Sequence, residues 1–333
     1  MFRKILQISI ILALIVVILG AYTRLGDAGL GCPDWPGCYG QLSVPNAKDG
    51  TIIQGFSRPL NIVKGWKEML HRYTASTLGL TILILFFLVL KGKLQHKQSL
   101  KLPGFSVFFV MLQGAFGMWT VTFLVHPGIV TLHLIGGFLT TVLLVWMFLN
   151  QKKTPTTYQY VLKKHKFVLL ITLTMLSLQI ILGGWTSANY AALSCGEYFP
   201  TCLNKWWPDL DFTHALYWGS LGNNYEYGIL ENPARSAIQV LHRIGALITT
   251  IFMLLLIYLF RKYNHLRFNL ILSVILLTIQ ITLGVLNVIL SLPIIIAVLH
   301  NTIALLLLLS IVIIVHKIFK KDYHKRAFIK HNN

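Results

Sequence analysis

The chain has 333 residues, 55% of them hydrophobic and only 12% charged, with a mean hydropathy of +0.68. Soluble globular domains carry about 25% charged residues, so the composition excludes a soluble domain and makes the architecture a count of apolar spans of about 20 residues. The net charge of +19 would suit a nucleic-acid binder, but its placement along the chain assigns it to membrane topology.

In chain order the apolar segments predict eight helices, over 5–23, 67–90, 104–126, 128–149, 166–187, 236–260, 267–290 and 294–317. The first has the length of a signal peptide. It lacks a small-x-small cleavage site, and its counterpart at 166–187 lies mid-chain, so it reads as a retained helix. The third and fourth helices are split by HPG at 126–128, the seventh and eighth by SLP at 291–293. Proline there marks a tight turn at a helix start. Arg3 and Lys4, then the segments 91–101, 152–166, 261–267 and 317–330, hold 20 of the 29 Lys and Arg, whereas nine of the ten acidic residues fall in the other loops or at their edges. The positive-inside rule then places both termini in the cytoplasm.

The chain says the same thing twice. Gly20, Thr23 and Cys32 match Gly183, Thr186 and Cys195 at an offset of 163, and Pro36 and Cys38 match Pro200 and Cys202 at 164. EMLHRYTASTLG at 68–79 answers QVLHRIGALITT at 239–250, and LQGAFG at 112–117 answers IQITLG at 279–284. The expected fold class is an all-α integral membrane protein whose eight transmembrane helices form two pseudo-symmetric four-helix bundles. The expected division is an N-terminal half at 1–151, a cytoplasmic linker at 152–165, a C-terminal half at 166–318 and a basic tail at 319–333.

Of twelve histidines, six lie in or beside the basic segments, His126 is at a turn and His214 in a loop, and four remain within the predicted helices: His71, His133, His242 and His300. Ionisable groups inside a membrane are costly and mark function by default. His133 is six residues past Pro127 and His300 seven past Pro293, so each sits roughly 10 Å below its helix end. One histidine on the second and one on the fourth helix of each half suit an axial pair for a haem iron. Zinc is a poorer match, because each half lacks a third convergent ligand. Arg72 and Arg243 directly follow two of the histidines; each reads equally as a partner for a haem propionate or as an interfacial arginine. Glu68 precedes His71 by three residues, while its counterpart is Gln239. A carboxylate in one half alone suggests proton handling there, with a helix-start carboxylate as the alternative.

The entry GAYTRLGDAGLGC, the doubled Cys loops, ExxH at 68–71 and the four-histidine layout together resemble the haem A synthase family, over nearly the whole chain. The resemblance implies an oxidoreductase that converts the C8 methyl of haem O to a formyl group, giving haem A for cytochrome oxidase. It implies that His71 and His133 receive the substrate haem iron, that His242 and His300 hold haem b as cofactor, and that Glu68 is the catalytic glutamate. Implied partners are haem O, haem O synthase and cytochrome oxidase assembly factors, with lipid around the chain and no nucleic acid. The expected location is the bacterial cell membrane. Cys32 with Cys38 and Cys195 with Cys202 are expected as disulfides in loops facing an oxidising compartment, either as staples or as redox-active or haem-handling pairs. Two rivals stand beside this reading: a diheme electron-transfer cytochrome, and a haem chaperone or transporter.

Overall fold

A computed structural model describes residues 1–92, 99–151 and 163–331, with side chains to Phe319. The basic residues within 93–98, His96 among them, most of the predicted linker at 152–165 and the side chains of the basic tail lie outside that description. Eight helices are long and apolar enough to cross a membrane: α1 (Phe2–Leu25), α2 (Ile62–Leu90), α3 (Lys101–Thr122), α4 (Pro127–Asn150), α5 (Lys163–Ala188), α7 (Asn232–Phe260), α8 (Arg267–Ile289) and α9 (Ile294–His331), with a four-residue turn α6 (Phe212–Ala215) before α7. The eight predicted spans are all present, and the chain is a multi-pass membrane protein.

Several boundaries differ from the sequence reading, the last helix running to His331 instead of 317 among them, and two of the differences have identifiable reasons. The second helix begins five residues early, because the side chain of Asn61 accepts from Lys64 N at 2.9 Å and caps it. The third helix stops at Thr122 rather than 126, because Leu124 and Val125 take left-handed φ values of 47° and 56°. Val125 N then returns to Thr120 O at 2.8 Å. Ser291 and Leu292 repeat that turn with φ of 55° and 61°, and Leu292 N returns to Asn287 O. Left-handed backbone is costly for a β-branched residue such as Val125; here Tyr225 N bonds Leu124 O and holds the turn from above.

Inside the apolar spans, serine and threonine hydroxyls return to carbonyls of the preceding turn, as Thr140 does to Gly136 and Thr172 to Val168. Such bonds satisfy groups that lipid cannot. Two more join helices: Ser9 to Thr81 at 2.9 Å across α1 and α2, and Ser273 to Ser310 at 2.9 Å across α8 and α9. α1 packs on α2 and α4, and α3 on α2 and α4; α5 packs on α7 and α9, and α8 on α9 and α7. The two sets meet where α1 and α4 pack on α9 and α4 packs on α5. Half of each apolar window in α4 and α9 is buried, against 11–28% in the other six. These two are therefore the central helices, and they carry His133 and His300.

At the end opposite the basic segments, the loops close over the bundle. Arg24 in α1 donates to Ser187 O at 2.6 Å at the C-terminal end of α5 and stacks on Tyr190 at 4.1 Å. A cation there complements the helix dipole. Arg58 makes a two-pronged bridge to Glu226 at 3.1 and 2.6 Å, and that partner raises the arginine's pKa. The α6 turn is anchored by Trp185, whose indole donates to Ala215 O at 2.8 Å and stacks on Trp218.

Candidate functional site

Each predicted disulfide is present, Cys32 to Cys38 and Cys195 to Cys202, and all four cysteines are buried. The arginine after each second-helix histidine reaches into the disulfide loop above it. Arg72 Nη1 donates to the carbonyls of Asp34, Pro36 and Gly37 at 3.0, 3.1 and 2.5 Å. Arg243 Nη1 donates to those of Pro200 and Thr201 at 3.2 and 2.7 Å. The sequence reading weighed these arginines against propionates and lipid and did not foresee this loop contact. Arg243 keeps Nε and Nη2 buried without a hydrogen-bond partner.

Glu68 is buried at the loop end of α2. One carboxylate oxygen pairs with Arg72 Nη2 at 2.5 Å and the other accepts from Cys32 N at 2.9 Å. The glutamate, the arginine and the disulfide loop thus form one unit. Gln239 is also buried, but lacks the charge to hold an arginine this way. Arg72→Ala would strand the carboxylate and the loop carbonyls, an expected loss of about 3–5 kcal/mol. In the haem-free protein Arg243→Ala removes hydrogen bonds alone, an expected loss of about 1–3 kcal/mol. Thermal unfolding in detergent compares the two variants, and equal losses would contradict the assignment.

Between the loops lies a cavity of about 460 Å³, lined among others by Gly31, Tyr39, Arg58, Lys64 and Glu226. Gly31, in the cavity lining, is the chain neighbour of Cys32, whose N–H binds Glu68. Burial raises the pKa of the Tyr39 phenol on its wall.

The four intramembrane histidines are each wedged against a glycine of an adjacent helix. A Cβ added at Gly20, Gly117, Gly183 or Gly284 would meet Cε1 of His71, His133, His242 or His300 at 2.9, 3.5, 3.2 and 3.0 Å respectively. In all four cases Cε1 is the ring atom nearest the glycine. At Gly20 the added atom would force a shift and at Gly183 and Gly284 it would be tight, whereas at Gly117 it would make an ordinary contact. Sequence reasoning noted Gly20 with Gly183 as a repeat but not their purpose; Gly117 and Gly284 close the quoted LQGAFG and IQITLG segments, so the signal was present.

The His71 and His133 rings face each other at a centroid separation of 6.3 Å and an interplanar angle of 86°. A metal that accepts one nitrogen from each ring at roughly 2 Å needs centroids about 6 Å apart, so the pair fits a shared axial metal. His242 and His300 are close enough to interact electrostatically. Nδ1 of His71, His133 and His300 is buried and lacks a hydrogen-bond partner, which is costly unless a ligand or partner is supplied. Nothing lies within 4 Å of a Cβ placed at Gly114, which is exposed, or at Gly137. Among the described residues no three His, Cys, Asp or Glu side chains converge on a metal position.

The sequence profile of the family described as cytochrome oxidase assembly protein matches residues 3–312. The haem A synthase of Shewanella oneidensis is 41% identical over 95% of this chain and 96% of its own length. Those of Halalkalibacterium halodurans and Pelagibacter ubique are each 27% identical, over 90% and 92% of this chain and 91% and 93% of their own lengths. With the paired histidines and the doubled disulfide loops in place, the chain belongs to the cytochrome oxidase assembly protein family, among its haem A synthases.

Proposed function

We propose that this enzyme oxidises the C8 methyl of haem O to a formyl group, with the substrate iron held by His71 and His133 and a resident haem b held by His242 and His300. The methyl passes through a hydroxymethyl and a gem-diol, which loses water to give the formyl; overall R–CH3 + H2O gives R–CHO with four protons and four electrons, which an external oxidant of the dioxygen or quinone class would have to accept. The bound haem b supplies one-electron chemistry. The protein's own residues position and protect the reacting groups. His71 and His133 orient the substrate between α2 and α4. The apolar spans keep bulk water from it. Glu68 holds or releases a proton at its carboxylate oxygens, and the cavity at Gly31 supports proton exchange with the loop side. The unpaired Nε and Nη2 of Arg243 suit a propionate of the resident haem; Arg72 spends its donors on the loop and Glu68.

The reading includes an internal duplication of residues 1–151 as the substrate half and 166–318 as the cofactor half, joined by 152–165 and followed by the tail 319–333. It places the disulfide loops on the outer face of a bacterial cell membrane with both termini inside. Haem O synthase and cytochrome oxidase assembly factors are the proposed supplier and recipients.

The observation that carries this reading is the facing His71–His133 pair. Haem extraction from the purified protein, with and without co-expressed haem O synthase, tests it. The expected pigments are haem b in both preparations and haem O or haem A in addition when the supply is present. Two equivalents of haem b under both conditions would support the electron-transfer cytochrome instead, and haem O bound without any haem A would support a chaperone.

A further inference from the structure

The loop between α5 and α7 belongs by sequence to the C-terminal half, yet part of it lies over the N-terminal half. It is seven residues longer than its counterpart, because the offset between the halves grows from 164 at Cys38 and Cys202 to 171 at His71 and His242. The segment Trp218–Tyr227 leaves its own half where Trp218 stacks on Trp185. It returns at Gly228, whose φ of 82° suits glycine and whose added Cβ would stand 3.2 Å from Asn189 O. Between those points it reaches both helices that carry the N-terminal histidines.

On the α4 side, Trp218 packs on Gly128, where a Cβ would meet its Cε3 at 3.4 Å. Tyr225 is only 4% exposed and is wedged among Leu30, Val121, Val125 and Val130. Its N–H donates to Leu124 O at 3.2 Å, and its ring meets that of His126 at 4.7 Å. Val130 is three residues from His133, and Val121 is four from Gly117, the glycine beside that ring. The wedge therefore sits about one turn outward of the histidine. On the α2 side, Glu226 grips Arg58 at 3.1 and 2.6 Å, and Lys64 donates to the Tyr227 hydroxyl at 3.3 Å. Lys64 is seven residues, about two turns, before His71.

The matching turn of the C-terminal half is tied differently. There the Ser291 hydroxyl donates to Glu197, in that half's own disulfide loop. Over the N-terminal half the fastening is one wedge, one ion pair and single hydrogen bonds. Segments held in this way open locally without unfolding the chain, as the lids over many enzyme sites do.

We propose that Trp218–Tyr227 is a clasp, supplied by the cofactor half, that joins α2 and α4 at their outer ends, and that Arg58, Tyr225 and Glu226 are positioning residues which retain the substrate haem between His71 and His133 until its oxidation is complete. A flat macrocycle enters or leaves the space between two facing rings when the helices that carry them part. The clasp joins those two helices at the end nearest the rings. The reaction passes through a hydroxymethyl stage, so a site that opened early would lose a half-oxidised product. The inference rests on the haem O assignment proposed above.

The test uses the full-length protein in detergent, loaded with haem O. It follows haem O transfer to excess apomyoglobin and, by chromatography, the share of hydroxylated haem among the haems released during turnover. Glu226→Arg sets two like charges against each other, and Tyr225→Ala removes the buried wedge. Each should release haem O about tenfold faster or more and raise the hydroxylated share, with haem b content unchanged. Arg58→Glu combined with Glu226→Arg restores an ion pair in the opposite sense and should return both readouts to within about threefold of wild type. Retained haem b marks a folded variant. Should Glu226→Arg lose it, Glu226→Gln takes its place, removing the charge without repulsion and shifting both readouts in the same direction. Both readouts unchanged in the single variants, or no recovery in the charge-swapped double variant, would overturn the proposal. Failure of the underlying haem reading shows in the starting protein: it would take up no haem O, or would still take it up in His71→Ala and in His133→Ala.

Discussion

Alanine at His242 or at His300 is expected to remove the haem b proposed for this pair, while His71→Ala is expected to leave it in place. Each C-terminal ring is held on two sides. The glycine beside it leaves open the place of a Cβ, which would stand 3.2 Å from Cε1 of His242 and 3.0 Å from that of His300, and a glutamine amide lies against one ring nitrogen. Alanine in place of either ring deletes an axial ligand and opens a polar gap within an apolar span, where no water is at hand to fill the coordination position. The haem b content, measured by pyridine haemochrome per mole of protein, should fall from one equivalent by more than about tenfold, well beyond the effect expected when only an orienting partner is lost. A full complement in both variants would remove haem b from this pair. Loss in His71→Ala with retention in His242→Ala would exchange the roles of the two halves.

Glu68→Gln gives a folded protein that keeps haem b and accumulates haem O or its hydroxylated form in place of haem A. The carboxylate is buried and stands in a ring of contacts with Arg72 and Cys32 N. Gln239 shows that a glutamine at the matching position is accommodated, buried under a disulfide loop. The amide therefore preserves the shape and the bond to Cys32 N but not the exchangeable proton. General acid–base groups contribute about 100- to 10,000-fold, so haem A formation, followed by chromatography of extracted haems at matched protein level, should fall by at least about 100-fold. Glu68→Gln also weakens the hold on Arg72, so the comparison is made alongside Glu68→Asp, which keeps the charge and should restore part of the activity. Wild-type haem A production in Glu68→Gln would reduce the glutamate to an anchor for the disulfide loop.

Much of this was legible in the residues because the two physical signals involved are local. A run of apolar residues must leave water and satisfy its backbone internally, so the eight spans can be counted. The duplicated histidines mark positions at matched depth, because depth along a helix is fixed by residue count. The cysteine pairs likewise announced themselves through close spacing and repetition. The helix ends were less legible. Asn61 as a cap for α2 and the left-handed Leu124 and Val125 after α3 are choices of single residues that hydropathy does not register.

By itself, then, the sequence determined that the chain is a multi-pass helical membrane protein, that it carries a doubled set of histidines and cysteine loops, and which family it resembles. Only the tertiary structure decided what surrounds those groups. It turned Arg72 and Arg243 into the residues that hold the disulfide loops, joined Glu68 to Arg72 and Cys32, placed α4 and α9 at the centre, and set each histidine against a glycine. The physical reason is that these relations cross between helices far apart in the chain. Within lipid, apolar faces do not choose their partners by escaping water; close approach at small residues and hydrogen bonds between helices choose them, and those contacts exist only once the helices have packed.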